Sequence, residues 1–283
     1  MAPYRSTRCR RRLSKRSRRK GAPDAEAPAP PRTGPTPKTP DEIDAMAASG
    51  AVLAACLDML EAAVAPGVTT LALDEMAEEF ILSRGGVPSF KGYHGFPGTI
   101  CPSVNEEVVH AIPGSYALGE GDIVSIDCGV TLDGWVSDSA RTIAVGAVSP
   151  VAADLMDATR RSLAAGIAQA RVGNRTGDIG SAVQQVVERA GFNVVRTLVG
   201  HGVGRSMHEE PQVPNFGSAG SGVLLEEGVV IAIEPMVTEN DPEVVLGGDG
   251  WVVSTRDSGL AAHFEHTVAI TASGPRILTR AGA

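Results

Sequence analysis

Residues 122–145 read DIVSIDCGVTLDGWVSDSARTIAV, and the fold turns on how that stretch is parsed. Residues 122–130 and 134–145 cluster or alternate Val, Ile and Thr, as strands on a pleated surface do. Leu132-Asp133-Gly134 between them reads as the tight turn of a hairpin. That turn brings Asp127 and Asp138, eleven residues apart, to one face of the sheet. A single Asp in such a run ordinarily ends a strand or caps a turn. Two on one inner face are costly to bury without a counter-charge.

Outward from the hairpin, helices come in pairs. Thr39-Pro40-Asp41-Glu42 is a capping box with Pro at the first helical position, and Ile43, Met46, Leu53, Leu57 and Leu60 follow helical spacing until Pro66-Gly67. A second helix is expected from about Thr70 to Arg84, with Leu73, Met76, Phe80 and Ile81 inward and Gly85-Gly86 stopping it. The plan returns about 106 residues on. Ser149-Pro150 starts a helix, Gly173 ends it, Thr176 caps another and Gly191 ends that one. Further strand-like runs cover 192–199, 228–238, 244–254 and 263–270. The expected architecture is α+β, with pseudo-twofold helix-helix-strand repeats packed outside a curved, largely antiparallel sheet, and a cleft where the halves meet.

That cleft would collect three more candidate ligands. His201 lies in Gly200-His201-Gly202-Val203-Gly204, Glu234 in Ile231-Ala232-Ile233-Glu234-Pro235-Met236, and Glu265 in His263-Phe264-Glu265-His266-Thr267. With Asp127 and Asp138 they make four carboxylates and one imidazole, a hard set that suits two adjacent divalent cations (Mn, Co, Fe or Zn) better than a thiolate-preferring structural zinc. Two such cations can share a water, lower its pKa and polarise a carbonyl, so the constellation points to metal-assisted hydrolysis. The glycine phrase around His201 lacks the Lys-Ser/Thr signature and the third spaced glycine of phosphate loops. Its glycines are expected to let the backbone pass close to the metals.

Composition limits the alternatives. Apolar residues make up 43% and charged residues 20% of 283, a globular balance with no apolar run near the ~18 residues of a membrane span. Cys9, Cys56, Cys101 and Cys128 are far apart, which excludes a Cys-x-x-Cys zinc site and fits a reducing, cytoplasmic setting. The net charge of -8 divides unevenly, because residues 1–40 hold twelve Lys or Arg against two acids. Residues 1–40 read as a basic, then Pro-rich, disordered extension, with 21–40 an extended linker, and 41–283 as the catalytic domain. Leu13 is the one strongly apolar residue between Arg5 and Lys20, which excludes a secretory signal, and no apolar stretch follows the Arg pairs as twin-arginine export needs. A transit peptide would share the Arg and Ser content but needs an amphipathic face, which is missing.

These phrases, with Tyr93-His94-Gly95-Phe96-Pro97, Ser103-Val104-Asn105-Glu106 and His208-Glu209-Glu210-Pro211, resemble type I methionine aminopeptidases of the pita-bread fold from about Thr39 to the C-terminus. The resemblance implies removal of the initiator methionine from nascent chains when the next residue is small. It implies that Asp138 and Glu265 bridge two ions, that Asp127 completes the first shell, and that His201 and Glu234 complete the second. Glu234 becomes the general base. His208 would donate to the scissile carbonyl oxygen and His110 would contact the nitrogen beyond the cut. Tyr93, Phe96, Cys101 and Trp251 match the methionine pocket, Phe90 borders it, and Met207 stands where the family often has Phe. His94 and His266 are expected in supporting positions, and Cys101 as a wall residue open to thiol reagents.

The chief alternative is an X-Pro aminopeptidase or prolidase relative, which shares fold and ligand order but usually carries a substantial additional N-terminal domain. A non-catalytic pita-bread binding protein is the other, and it would not need all five ligands. The enzyme is expected to be monomeric and free of membranes. For the basic run Arg8 to Lys20 three readings stand: weak attachment to ribosomal RNA, a solvated tail, or translation beginning nearer Met46. On the first, removal of residues 1–38 leaves peptide cleavage intact.

Overall fold

The computed structural model describes residues 34–280; the basic run Arg8 to Lys20 lies outside them. Four helices form where the caps dictate. α1 spans Pro40–Ala63, with the Thr39 hydroxyl accepting the Glu42 N–H at 3.3 Å and the Glu42 carboxylate accepting the Thr39 N–H at 2.9 Å. α2 spans Thr70–Ser83, α3 Pro150–Gln169 and α4 Thr176–Arg189. Thr176 is not the cap of α4. Its hydroxyl is taken by the Val223 N–H, and Asp178 closes the helix start by accepting the Arg175 N–H at 2.8 Å. Met76 is not inward either, being 37% exposed, while Leu73 and Ile81 are fully buried.

The hairpin forms as read. Ile123–Leu132 and Trp135–Ala144 pair from Ile123↔Ala144 to Leu132↔Trp135, and Asp133 and Gly134 take the positive φ values (50° and 75°) of a two-residue loop. With Val87–Pro88 and Ile100–Val104 it makes a four-stranded sheet. A five-stranded sheet runs Gly274–Ile277, His266–Thr271, Val230–Ile233, Gly200–Gly202, Glu209–Val213. Two three-stranded sheets complete the set among the described residues, and every strand pairing among them is antiparallel.

Several expected strands are shorter than their apolar runs. Of 192–199 only Asn193–Val194 is strand, and 244–254 divides into Val244–Leu246 and Val253–Thr255. The run 228–238 breaks at Glu234-Pro235 into Val230–Ile233 and Met236–Thr238, and 263–270 is interrupted by Phe264-Glu265, between Ala261–His263 and His266–Thr271.

Helices cover the outer sheet faces. Leu53, Leu57 and Leu60 of α1 and Leu73 and Ile81 of α2 pack on Ile126, Cys128 and Val130 of the hairpin. Leu155, Val183 and Val187 of α3 and α4 do the same on Val194 and Val237. Each such side chain contributes roughly 1.5–3 kcal/mol on burial. α1 is long and apolar enough by composition to cross a membrane, but Leu53, Leu57 and Leu60 are buried in this core and Ile43 and Met46 in a second one with Val136 and Val203.

The halves are joined by a seam of hydroxyls. The Thr267 hydroxyl accepts the Asp138 N–H at 2.9 Å, Ser139 Oγ donates to the Glu265 carbonyl at 2.6 Å, and the Glu265 N–H donates to the Ala140 carbonyl at 2.9 Å. The end of the stretch read as a coreless linker also joins the body. The Lys38 N–H donates to the Gly228 carbonyl at 2.7 Å and the Lys38 side chain is buried.

Candidate metal centre and substrate cavity

Asp127 and Asp138 reach one face because Gly129, opposite Asp138 in the ladder, is two residues from Asp127. Glu234 and Glu265 enter from the two strand breaks of the other half, and His201 from Gly200–Gly202. Ligand atoms of Asp138, His201 and Glu265 lie within 4.8 Å of one another. His201 Nε2 is 3.5 Å from Glu234 Oε1 and 3.8 Å from Asp138 Oδ2. All five expected ligands line a single cavity of about 280 Å³.

The electrostatics fit divalent cations. Burial raises the Asp127 carboxyl to about 7; burial, with repulsion from Asp127 and Glu234, pushes Asp138 well above the carboxylate range, and burial with repulsion from Asp138, Glu234 and Asp127 does the same to Glu265. Glu234 rises for the same reasons, with Asp127 as the repelling neighbour. Asp127 Oδ1, Asp138 Oδ1 and Glu265 Oε1 are buried without a hydrogen-bond partner. Burial lowers His201 to about 4, so the ring is neutral. Its Nδ1–H donates to the Gly202 carbonyl at 2.9 Å, which leaves the Nε2 lone pair facing the carboxylates. Four carboxyl groups whose burial opposes ionisation, meeting a neutral imidazole lone pair, suit divalent cations that would let them ionise.

Above the centre stands His208, its ring 4.3 Å from that of His201 and its Nδ1 2.8 Å from the Tyr93 hydroxyl. His110 opens onto the same cavity in a left-handed conformation (φ 62°), its pKa lowered by desolvation and by His208. Phe96 and Trp251 meet edge to face at 5.1 Å, and Phe90, Tyr93, Cys101 and Met207 complete the apolar wall. Burial and the nearby Asp127 hold the Cys101 thiol far above its usual range, which opposes the expected thiol reactivity. His94 lies at the rim, edge-on to Tyr93. His266 is not in the cavity; its Nδ1 is 2.9 Å from the Thr279 hydroxyl.

One expectation changes. The glycines around His201 do not serve an approach to the centre: a Cβ on Gly200 would strike the Ala232 carbonyl, and one on Gly202 the Glu210 carbonyl, so they let neighbouring strands close in. Leu198, Val109 and Met236 on the cavity wall were not expected, nor was His263, which lies outside the lining but against Glu234. His263 is fully buried, has no partner at either ring nitrogen, and sits with Nε2 3.9 Å from Glu234 Oε2. Met236 beside Glu234-Pro235, Val109 beside His110 and His263 in the Glu265 phrase each had a sequence neighbour to mark them; Leu198 had none.

The model of metallopeptidase family M24 matches residues 44–272. A methionine aminopeptidase of Clostridium perfringens is 52% identical over 242 residues, 86% of this chain and 97% of that protein. Methionine aminopeptidase 1 of Mycobacterium tuberculosis is 51% identical over 84% of this chain and 92% of its own length. The solved methionine aminopeptidase of Thermotoga maritima is 43% identical with a TM-score of 0.86, covering 87% of this chain and 99% of that one. A prolidase from Pyrococcus furiosus shares the fold alone, at 20% identity, a TM-score of 0.71 and 65% of its length. The chain belongs to metallopeptidase family M24, on its methionine aminopeptidase side.

Proposed function

We propose that this chain is a methionine aminopeptidase that removes the initiator methionine from nascent polypeptides when the second residue is small. One observation carries the reading: four buried carboxyl groups and an imidazole share a cavity of about 280 Å³ with a wall of aromatic and sulfur-bearing side chains. An apolar, polarisable recess next to a hydrolytic centre selects a thioether side chain and sets the cut one residue in.

Asp127, Asp138, His201, Glu234 and Glu265 would hold two divalent cations; cobalt, manganese, iron and zinc all suit the donors. Such cations supply a polarised carbonyl and a water that is nucleophilic at neutral pH. Glu234 takes the proton of the attacking water and passes it to the leaving nitrogen. His208, oriented by the Tyr93 hydroxyl at 2.8 Å, donates through Nε2 to the carbonyl oxygen as it becomes an oxyanion. His110 faces the leaving nitrogen. Phe96, Trp251, Tyr93 and Cys101 exclude water from the methionine side chain.

The enzyme is read as a cytoplasmic monomer, and the extension of residues 1–40 as holding it weakly to ribosomal RNA through the basic run Arg8 to Lys20. Comparing Met-Ala-Ser with Ala-Pro and Ala-Pro-Ala across the four metals tests the reaction. Cleavage of the methionine peptide alone is expected, and cleavage of only the proline peptides would overturn it. For the extension, removal of residues 1–33 should lower ribosome co-sedimentation at low salt only; equal co-sedimentation at every salt concentration would reject that role.

A further inference from the structure

We infer that Lys38 is a positioning residue for His208, acting through the Glu209 carboxylate; the inference rests on the function proposed above. Lys38 is 9% exposed, unusual for an unconstrained lysine, and Nζ lies 2.5 Å from Glu209 Oε2 and 2.9 Å from the Thr36 carbonyl. The other oxygen of Glu209 accepts the Arg205 and Ser206 N–H groups at 2.8 and 3.2 Å. One carboxylate therefore ties the strap before α1 to the loop between Gly200–Gly202 and Glu209–Val213. That loop delivers Met207 and His208 to the cavity.

The packing is built for this contact. A Cβ on Gly204 would lie 2.5 Å from Glu209 Oε1 and 2.6 Å from Lys38 Cε, so the glycine makes room for both. On its other side the loop is fixed to the first half of the molecule. The Val136 N–H donates to the Gly204 carbonyl at 2.9 Å, and the Arg205 guanidinium covers the Trp135 ring at 3.6 Å. Lys38 is the partner that neutralises Glu209 from within. Without it a half-buried carboxylate turns toward water, releases the Arg205 and Ser206 N–H groups, and lets His208 drift from the carbonyl it serves. A truncation that includes Lys38 is therefore not neutral, against the expectation for removal of residues 1–38.

The test is a double-mutant cycle in the full-length, metal-loaded chain with Met-Ala-Ser. Lys38→Met should lower kcat by about 10- to 100-fold with KM little changed, and Lys38→Arg should restore most of it. On a His208→Ala background Lys38→Met should have no further effect, because both remove one contribution. Effects that multiply, or a Lys38→Met enzyme with wild-type kcat, overturn the inference. If melting curves show that Lys38→Met does not fold, Glu209→Gln enters the same cycle with the same two outcomes. Imidazole resonances of the metal-free chain give a readout independent of turnover. Lys38→Met should shift His208 and leave His266 unmoved; an unshifted His208 overturns the inference even if the wild-type chain cleaves nothing, a result that would strike the proposed function instead.

Discussion

In the first half of the molecule Asp127 and Asp138 stand on ten-residue strands with an unbroken ladder, whereas in the second Glu234 and Glu265 stand where strands stop. The two breaks face each other, since His266 pairs with Ile233 on one side of them and His263 with Met236 on the other. A residue inside a ladder has both backbone groups committed, and its side chain leaves perpendicular to the sheet. A residue in a break is free to bond elsewhere. Pro235 has no N–H to lose, and the Glu265 N–H donates instead to Ala140 of the other half. The first half is thus a fixed platform, and the second is fitted onto it across a hydroxyl seam.

The largest effect should come from the second half. Glu234→Gln should lower turnover of Met-Ala-Ser by about 10³-fold or more at saturating metal, since proton transfer and a metal donor are both lost. Near-wild-type kcat would remove Glu234 from its role. His208→Ala should cost about 10²- to 10³-fold in kcat with KM nearly constant, and a pure rise in KM would make it a binding residue.

The platform should reveal itself in the metal-free protein. Asp127 is raised to about 7 by burial, so between about pH 4 and pH 7 the folded chain holds a proton that the unfolded chain has released. The unfolded state binding fewer protons means that this group costs stability as pH rises through that window, with the full cost present above 7. Asp127→Asn, relieved of that cost, should melt like wild type near pH 4 and roughly 5 °C or more above it near pH 8 in chelator. A difference that shrinks with rising pH would contradict the assignment. The seam should give the smallest change. Ser139→Ala removes the bond to the Glu265 carbonyl and should destabilise by about 1–2 kcal/mol in denaturant titration, with metal affinity reduced in parallel.

What the chain disclosed followed the same division. The hairpin was legible because Asp133-Gly134 and the flanking apolar residues are local signals, and the capping box at Thr39 likewise. The breaks were not, because 228–238 is apolar almost throughout and Pro235 alone marks the gap. Gly200–Gly202 and Glu209–Val213 were missed as strands since glycine and glutamate carry little strand propensity, and their pairing is set by neighbours. The five candidate ligands were legible from their phrases, but the approach of His263 to Glu234 was not, although it opens the Glu265 phrase, and the Lys38–Glu209 contact spans 171 residues of sequence.

If both halves hold one metal centre, neutralising the carboxylates of either half should abolish metal binding. Anaerobic calorimetric titration of the metal-free chain with manganese tests it most directly, comparing wild type with Asp127→Asn/Asp138→Asn and with Glu234→Gln/Glu265→Gln. Strong binding by wild type, lost in each paired variant while the fold persists by circular dichroism, is the predicted result. Undiminished affinity after the carboxylates of either half are neutralised would contradict it.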